Sequence, residues 1–193
     1  MRNKLNSGFP TTVRRLIRER RGVSAVEFAL LLPFMLTLYL GGTEITQAIT
    51  IKRKTTIVTR TIGDFVAQSS TINNAQMLNI MNATKAVVSP YAQGNLKIVV
   101  TSVGIDAANN ATVVWSDATA NGTAKTPGTS VTLPTGLNAF PNTTVIWTEA
   151  EYVYTPAVGW LITGNMTLGD HMYMRPRLVA KVCRDTGVGA PVC

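Results

Sequence analysis

Few side chains in this 193-residue sequence could do chemistry, and they are scattered. His171 is the only histidine, and Cys183 and Cys193 are the only cysteines. That set is too small for the four ligands of a structural zinc site. Glu149 and Glu151 stand two apart, so on a strand they share a face. They are a candidate acid–base pair, and the same spacing describes an ordinary solvated strand face. No nucleophile–base triad, HExxH, paired CxxC or phosphate-cradling glycine loop accompanies them. The expectation is a chain that is not an enzyme and needs no metal or cofactor, with His171 a packing or sheet-surface residue.

Two other features carry more information. Nine residues separate Cys183 from Cys193, and only one intramolecular pairing is possible. A disulfide is expected if this part of the chain lies outside the cytoplasm, stabilising by about 2–3 kcal/mol in the chain-entropy model. The alternative is two free thiols near a frayed terminus. The other feature is Glu27. From Val23 to Leu40 the 18 residues are apolar except for Ser24, Glu27, Thr37 and the phenol of Tyr39. That length approaches the roughly 20 residues that span a bilayer core as a helix. An ionisable group inside such a span is costly and implies a function and a partner.

The elements that would position these residues follow from charge and periodicity. Net charge is +8, and it is uneven. Residues 1–22 hold seven Lys/Arg against one Glu, whereas residues 23–193 hold eleven against nine Asp/Glu. A basic block (Arg14, Arg15, Arg18, Arg20, Arg21) before an apolar span reads as the cytoplasmic flank of the positive-inside rule. The nearly neutral remainder has no basic stripe, so no nucleic acid is expected as a partner. An ordinary cleaved signal peptide fits poorly. The apolar run exceeds the usual 7–15 residues, contains Glu27 and lacks an Ala-x-Ala site after it. A retained anchor is expected.

Residues 23–68 read as one nearly continuous helix, roughly 65–70 Å long by rise. Its second half carries a rough apolar stripe (Ile45, Ile49, Ile51, Val58, Ile62, Phe65, Val66) that needs a partner surface. Pro33 lacks an N–H and should kink or locally open the transmembrane part. Ser69-Ser70-Thr71 breaks the helix. Asn73 or Asn74 can cap a second helix that presents Ala75, Leu78, Met81 or Asn82, and Val88, ending at Ser89-Pro90. Strands are predicted at 96–105, 112–116, 143–155 and 168–182, the first two as a hairpin over 106–110. Pro176 places the last at an edge or bulge. Residues 117–142 read as a long loop. Trp115, Trp147 and Trp160 are expected in the core or in partner-facing patches. Five Asn-x-Thr sequons, beginning at Asn82, are read as compositional. The class is α+β, a helical spine followed by a small antiparallel sheet of about four strands. The expected segments are a leader 1–22, a transmembrane helix 23–42, a stalk with the second helix 43–90, and an antiparallel β domain 91–193.

The run Arg20-Arg21-Gly22-Val23-Ser24-Ala25-Val26-Glu27-Phe28-Ala29-Leu30-Leu31-Leu32-Pro33 resembles a type IV prepilin signal. Within that superfamily the chain is similar to TadE-like pseudopilins of the tight-adherence (Tad, Flp, type IVc) pilus, specifically over residues 20–65. Later pieces, Glu151 to Pro156 and Arg175-Pro176-Arg177, resemble the family more loosely. The resemblance implies cleavage by a prepilin peptidase between Gly22 and Val23, leaving Val23 as the new N-terminus. It implies that Glu27 pairs with an α-amino group, its own or a neighbouring subunit's, during assembly. A buried carboxylate facing a freed ammonium is physically consistent with that. Val23 stands where many type IVa pilins carry Phe, so its N-methylation is left open. The implied setting is the bacterial inner membrane, N-terminus cytoplasmic and C-terminal domain periplasmic. Other pilins and the pilus assembly platform are the implied partners, and surface adherence the implied role. The competing reading is an uncleaved single-pass periplasmic binding protein outside any pilus.

Overall fold

The computed structural model describes residues 21–157, 159 and 164–193. The basic leader up to Arg20 and Trp160 lie outside the described residues. The chain divides into two compact units, Met1–Glu44 and Ile45–Cys193. One helix, α1 (Arg21–Ala67), supplies all described residues of the first unit and opens the second. The architecture is α+β: a long helix, a short second helix and a four-stranded antiparallel sheet.

In the first unit α1 continues through Pro33. The Pro33 carbonyl accepts a 2.8 Å bond from the Thr37 hydroxyl. The side chains of this segment are exposed almost throughout, Leu30 at 73% and Phe34 at 64%.

In the second unit, α1 buries Ile51, Thr55, Val58, Thr59, Ile62 and Val66. These positions recur every three or four residues, one stripe of an α-helix. The expected stripe differs at its ends, because Ile45, Ile49 and Phe65 are exposed. Two threonines take their place in the core. Their hydroxyls return to the helix backbone, Thr55 to the Ile51 carbonyl and Thr59 to the Thr55 carbonyl, both at 2.9 Å. Such back-bonding satisfies the hydroxyl and lets a polar residue be buried. The helix ends as expected near Ser69. The Ser69 hydroxyl donates to the Phe65 carbonyl at 3.0 Å, and the Arg177 N–H donates to the Ala67 carbonyl at 2.8 Å.

Strand β1 (Thr71–Asn73) leads into helix α2 (Asn74–Lys85). Asn73 is the N-cap: its side chain accepts from the Gln76 N–H at 2.9 Å while the Gln76 side chain accepts from the Asn73 N–H at 3.0 Å. That reciprocal box satisfies two otherwise orphaned donors. The buried phase of α2 is Met77, Met81 and Thr84: Met81 lies on the expected stripe, whereas Met77 is buried in place of Leu78, which is exposed.

The sheet comprises β2 (Leu96–Ile105), β3 (Ala111–Ala118), β4 (Thr143–Tyr154) and β5 (Met166–Met174), ordered β3-β2-β4-β5. One face pairs Leu96 with Tyr152, Ile98 with Ala150, Val100 with Thr148 and Ser102 with Ile146. Of these, Leu96, Ile98, Val100, Ile146, Ala150 and Tyr152 share one core with Ile51, Val58, Ile62 and Val66 of α1. The helix and β5 approach closely at Gly63, where a Cβ would lie 3.1 Å from Met174 Sδ and 3.2 Å from Thr148 Oγ1. The β2–β3 turn is held by Asp106, whose carboxylate accepts the N–H groups of Ala108 and Asn110, both at 2.8 Å. Asn109 adopts φ 64° there, a left-handed conformation that asparagine tolerates.

The last predicted strand, 168–182, is corrected: β5 ends at Met174, and a separate strand β6 (Cys183–Asp185) follows. Pro176 has no N–H for a ladder, and the next N–H, of Arg177, caps α1 instead. β6 pairs in parallel with β1, Ile72 opposite Arg184. Both outer strands of the main sheet carry extra contacts. Residues 128–131 run beside β3, with the Val113 N–H on the Thr129 carbonyl at 2.9 Å and the Val131 N–H on the Ala111 carbonyl at 2.9 Å. On β5, the Lys52 ammonium holds the Gly169 carbonyl, and the Asp170 carboxylate accepts the His171 N–H at 3.0 Å.

Candidate functional site

The features that point to function lie in three places. The first is α1 from Gly22 to Glu44. Gly22 and Val23 occupy its first described turn, and Glu27 follows Val23 by four residues, on the same helix face. A Cβ on Gly22 would meet nothing within 4 Å among the described residues, so packing within the fold does not demand glycine there. Val23 is 56% exposed, and Val26, Phe28, Leu30 and Leu31 are likewise open. The most apolar 18-residue window of the helix has mean hydropathy 1.9, and none of it is buried. Water does not tolerate a surface of that size and continuity, so it is built to contact lipid or other apolar helices. Among the described residues no ion pair reaches Glu27.

The second place is the sheet face away from α1. The Lys125 ammonium sits 2.8 Å from the Glu149 carboxylate and 3.9 Å above the centre of the Trp147 ring. Trp147 stacks on Tyr173 at 5.5 Å, and His171 meets Tyr173 edge-on at 5.8 Å. Burial, and then the nearby Glu149 charge, push the Tyr173 phenol up. Lys97, Lys125, Glu149, Glu151, Asn121 and Thr123 line a cleft of about 240 Å³ here. Its charges alternate: Lys97 stands opposite Glu151 across the strands and Lys125 is tied to Glu149. Glu149 is thus occupied by an ammonium, and Glu151 is exposed. His171 is an exposed residue of the sheet surface. Trp115 is in the core, its indole N–H on the Val182 carbonyl at 2.9 Å.

The third place is the C-terminal segment. Cys183 and Cys193 form a disulfide. Between them stands Arg184, only 6% exposed. Its guanidinium reaches both oxygens of Asp117, at 2.6 and 3.2 Å. It also donates to the Ile72 carbonyl at 3.2 Å, the Asp185 carbonyl at 2.6 Å and the Asn74 side-chain oxygen at 2.7 Å. A buried arginine is tolerated because every donor direction is used and a carboxylate balances it. Sequence reasoning did not single out Arg184 or Asp117, since nothing local distinguishes an arginine whose partners lie 67 and 110 residues away. A smaller polar junction joins α1 to β5. Thr56 donates to the Asp170 carboxylate at 2.6 Å, and that bond, with the His171 N–H and the Lys52 charge, holds the Asp170 carboxyl below its usual range against the opposing effect of burial.

Of these three places, only the first lies in a stretch that matches a known family. Residues 22–62 match the family model described as TadE-like protein, a stretch that lies wholly within α1. This is the segment whose residues carry the resemblance described above. No curated protein and no solved structure matches the chain.

Proposed function

We propose that the chain is a minor pilin or pseudopilin of a Tad (type IVc) pilus, with no catalytic activity of its own. It is held in the bacterial inner membrane by the apolar helix, with residues beyond about 43 on the periplasmic side. A prepilin peptidase removes the leader after Gly22, and the processed subunit joins other pilins at the assembly platform to support surface adherence. One observation carries this reading: the exposed apolar stretch 23–40, with Glu27 as its single carboxylate, lies within the segment that matches the TadE-like family. The freedom around Gly22 supports a glycine kept for something outside the fold, such as close approach of a peptidase to the backbone. Glu27 lies four residues from Val23, about 6 Å along the axis by rise. A freed Val23 ammonium, on the same or a staggered neighbouring subunit, is within reach of its side chain. Each charge offsets the other's cost in hydrocarbon.

Processing and piliation test the reading. Gly22→Leu should leave a precursor heavier by the 22-residue leader on a gel. Glu27→Gln and Glu27→Leu should be cleaved and membrane-inserted yet give cells without pili under the microscope. A parent protein that keeps its 22-residue leader, together with normal pili from the Glu27 variants, would favour an uncleaved anchor outside any filament.

A further inference from the structure

The C-terminal segment has an anchored root and a lightly held end. Val182 is fully buried, its carbonyl taken by Trp115 at 2.9 Å and its N–H by the Thr144 hydroxyl at 3.3 Å. Beyond Asp185 every residue through Cys193 is exposed, Val188 at 84%. This end buries almost no apolar surface that could hold it. It is held by the two backbone bonds between Arg184 and Val192, at 2.8 and 2.9 Å, by one bond from the Asn74 amide to the Thr186 carbonyl at 2.8 Å, by one from the Gly187 N–H to the Asp185 carboxylate at 2.8 Å, and by the disulfide. Arg184 sits inside the loop that the disulfide closes, and its side chain is what fastens Ile72 and Asn74 to Asp117 of β3.

We infer that residues 183–193 are a redox-operated clasp. While the Cys183–Cys193 bond is closed, the clasp shields the Arg184–Asp117 ion pair and pins β1 and the start of α2 to the sheet. Opening the bond frees the end and loosens β1 and β6, while the α1–sheet core stays folded. The core residues of α1, β2 and β4 make their contacts without the clasp. Thiol–disulfide exchange supplies the opening step. A thiolate of a dithiol reductant attacks the exposed Cys193 sulfur, the S–S bond breaks, and Cys183 leaves as a thiolate that takes up a proton. The second thiol of the reductant then displaces Cys193 and closes its own cyclic disulfide. Two electrons pass from the dithiol to the cystine, leaving two protein thiols. The inference does not depend on the pilus reading.

Hydrogen exchange of the full chain in detergent tests it, with and without a dithiol reductant and with thiol labelling to verify complete reduction. Reduction should speed exchange of the Cys183, Arg184 and Val192 amides by about 100-fold, the factor that loop-closure entropy gives for a ring of this size. The amides of β2 should keep their protection. The double variant Cys183→Ser with Cys193→Ser should match the reduced protein with no reductant present. Unchanged exchange at 183–192 after full reduction would overturn the inference. So would loss of protection in β2, which would make the bond a staple of the whole fold.

Discussion

Single residues set the most direct expectations. The Arg184–Asp117 pair is buried on the arginine side, while the Asp117 side chain is 27% exposed. Removing one partner of a fully buried pair costs about 3–5 kcal/mol. Partial exposure of Asp117 lowers that, so Asp117→Asn should destabilise by about 2–3 kcal/mol and reduce Tm by about 4–12 °C. Thermal unfolding followed by circular dichroism measures it, and a shift under 1 °C would mean that the pair is energetically idle. At Asp170 the folded pKa is depressed, first by the Thr56 hydroxyl. The sign follows: its contribution is complete above the ordinary aspartate pKa of about 3.9 and is lost as pH falls through the lowered folded value. Thr56→Val should move the Asp170 titration upward, toward the ordinary value. Carboxyl-carbon NMR reads that shift directly, and an unmoved titration would rule out the hydroxyl as the cause.

Among the elements, α1 and the sheet depend on close approach at Gly63. A side chain there must displace Met174 Sδ and Thr148 Oγ1, both within 3.2 Å of the Cβ position. Gly63→Val should therefore destabilise by about 1–3 kcal/mol, as overpacking does, with chemical denaturation the measurement. The same junction shows what a sequence reader could and could not see. Strand β2 was legible because Leu96, Ile98 and Val100 alternate with less buried neighbours, and β4 for the same reason. The span of α1 followed from continuous apolarity. Of its buried stripe, Ile51, Val58, Ile62 and Val66 were legible, but Thr55 and Thr59 were not, because they look solvent-facing until their hydroxyls are seen on the helix backbone. The phase of α2 slipped because Met77 and Leu78 are equally apolar neighbours, and only tertiary contact selects between them. The β1–β6 pairing, three residues on each side and over 100 apart in sequence, has no local periodicity to reveal it. Gly22 and Glu27 stand out by residue type and spacing alone, whereas Arg184 depends entirely on distant partners.

At the scale of the whole molecule, the charge asymmetry of the leader and the exposed apolar helix predict an orientation. A reporter that works only outside the cytoplasm, fused at Cys193, should be active, and a cytoplasm-restricted reporter at the same point should be silent. The reverse pattern would invert the proposed topology. The β domain also has something to say about crowding. Under the proposed reading, anchored subunits meet at high local concentration, where an open strand edge templates pairing between chains. Here residues 128–131 occupy the rim at β3, and Lys52 and Asp170 hold polar backbone groups of β5. The double variant Lys52→Ala with Asp170→Ala should raise thioflavin fluorescence and light scattering on incubation, with the parent protein staying clear. The β3 rim is therefore covered, while on β5 these contacts occupy the Gly169 carbonyl and the His171 N–H. At the β3 rim a second copy of this domain would have to displace residues 128–131 before its strands could pair there, so contacts between copies on that side fall to side-chain surfaces.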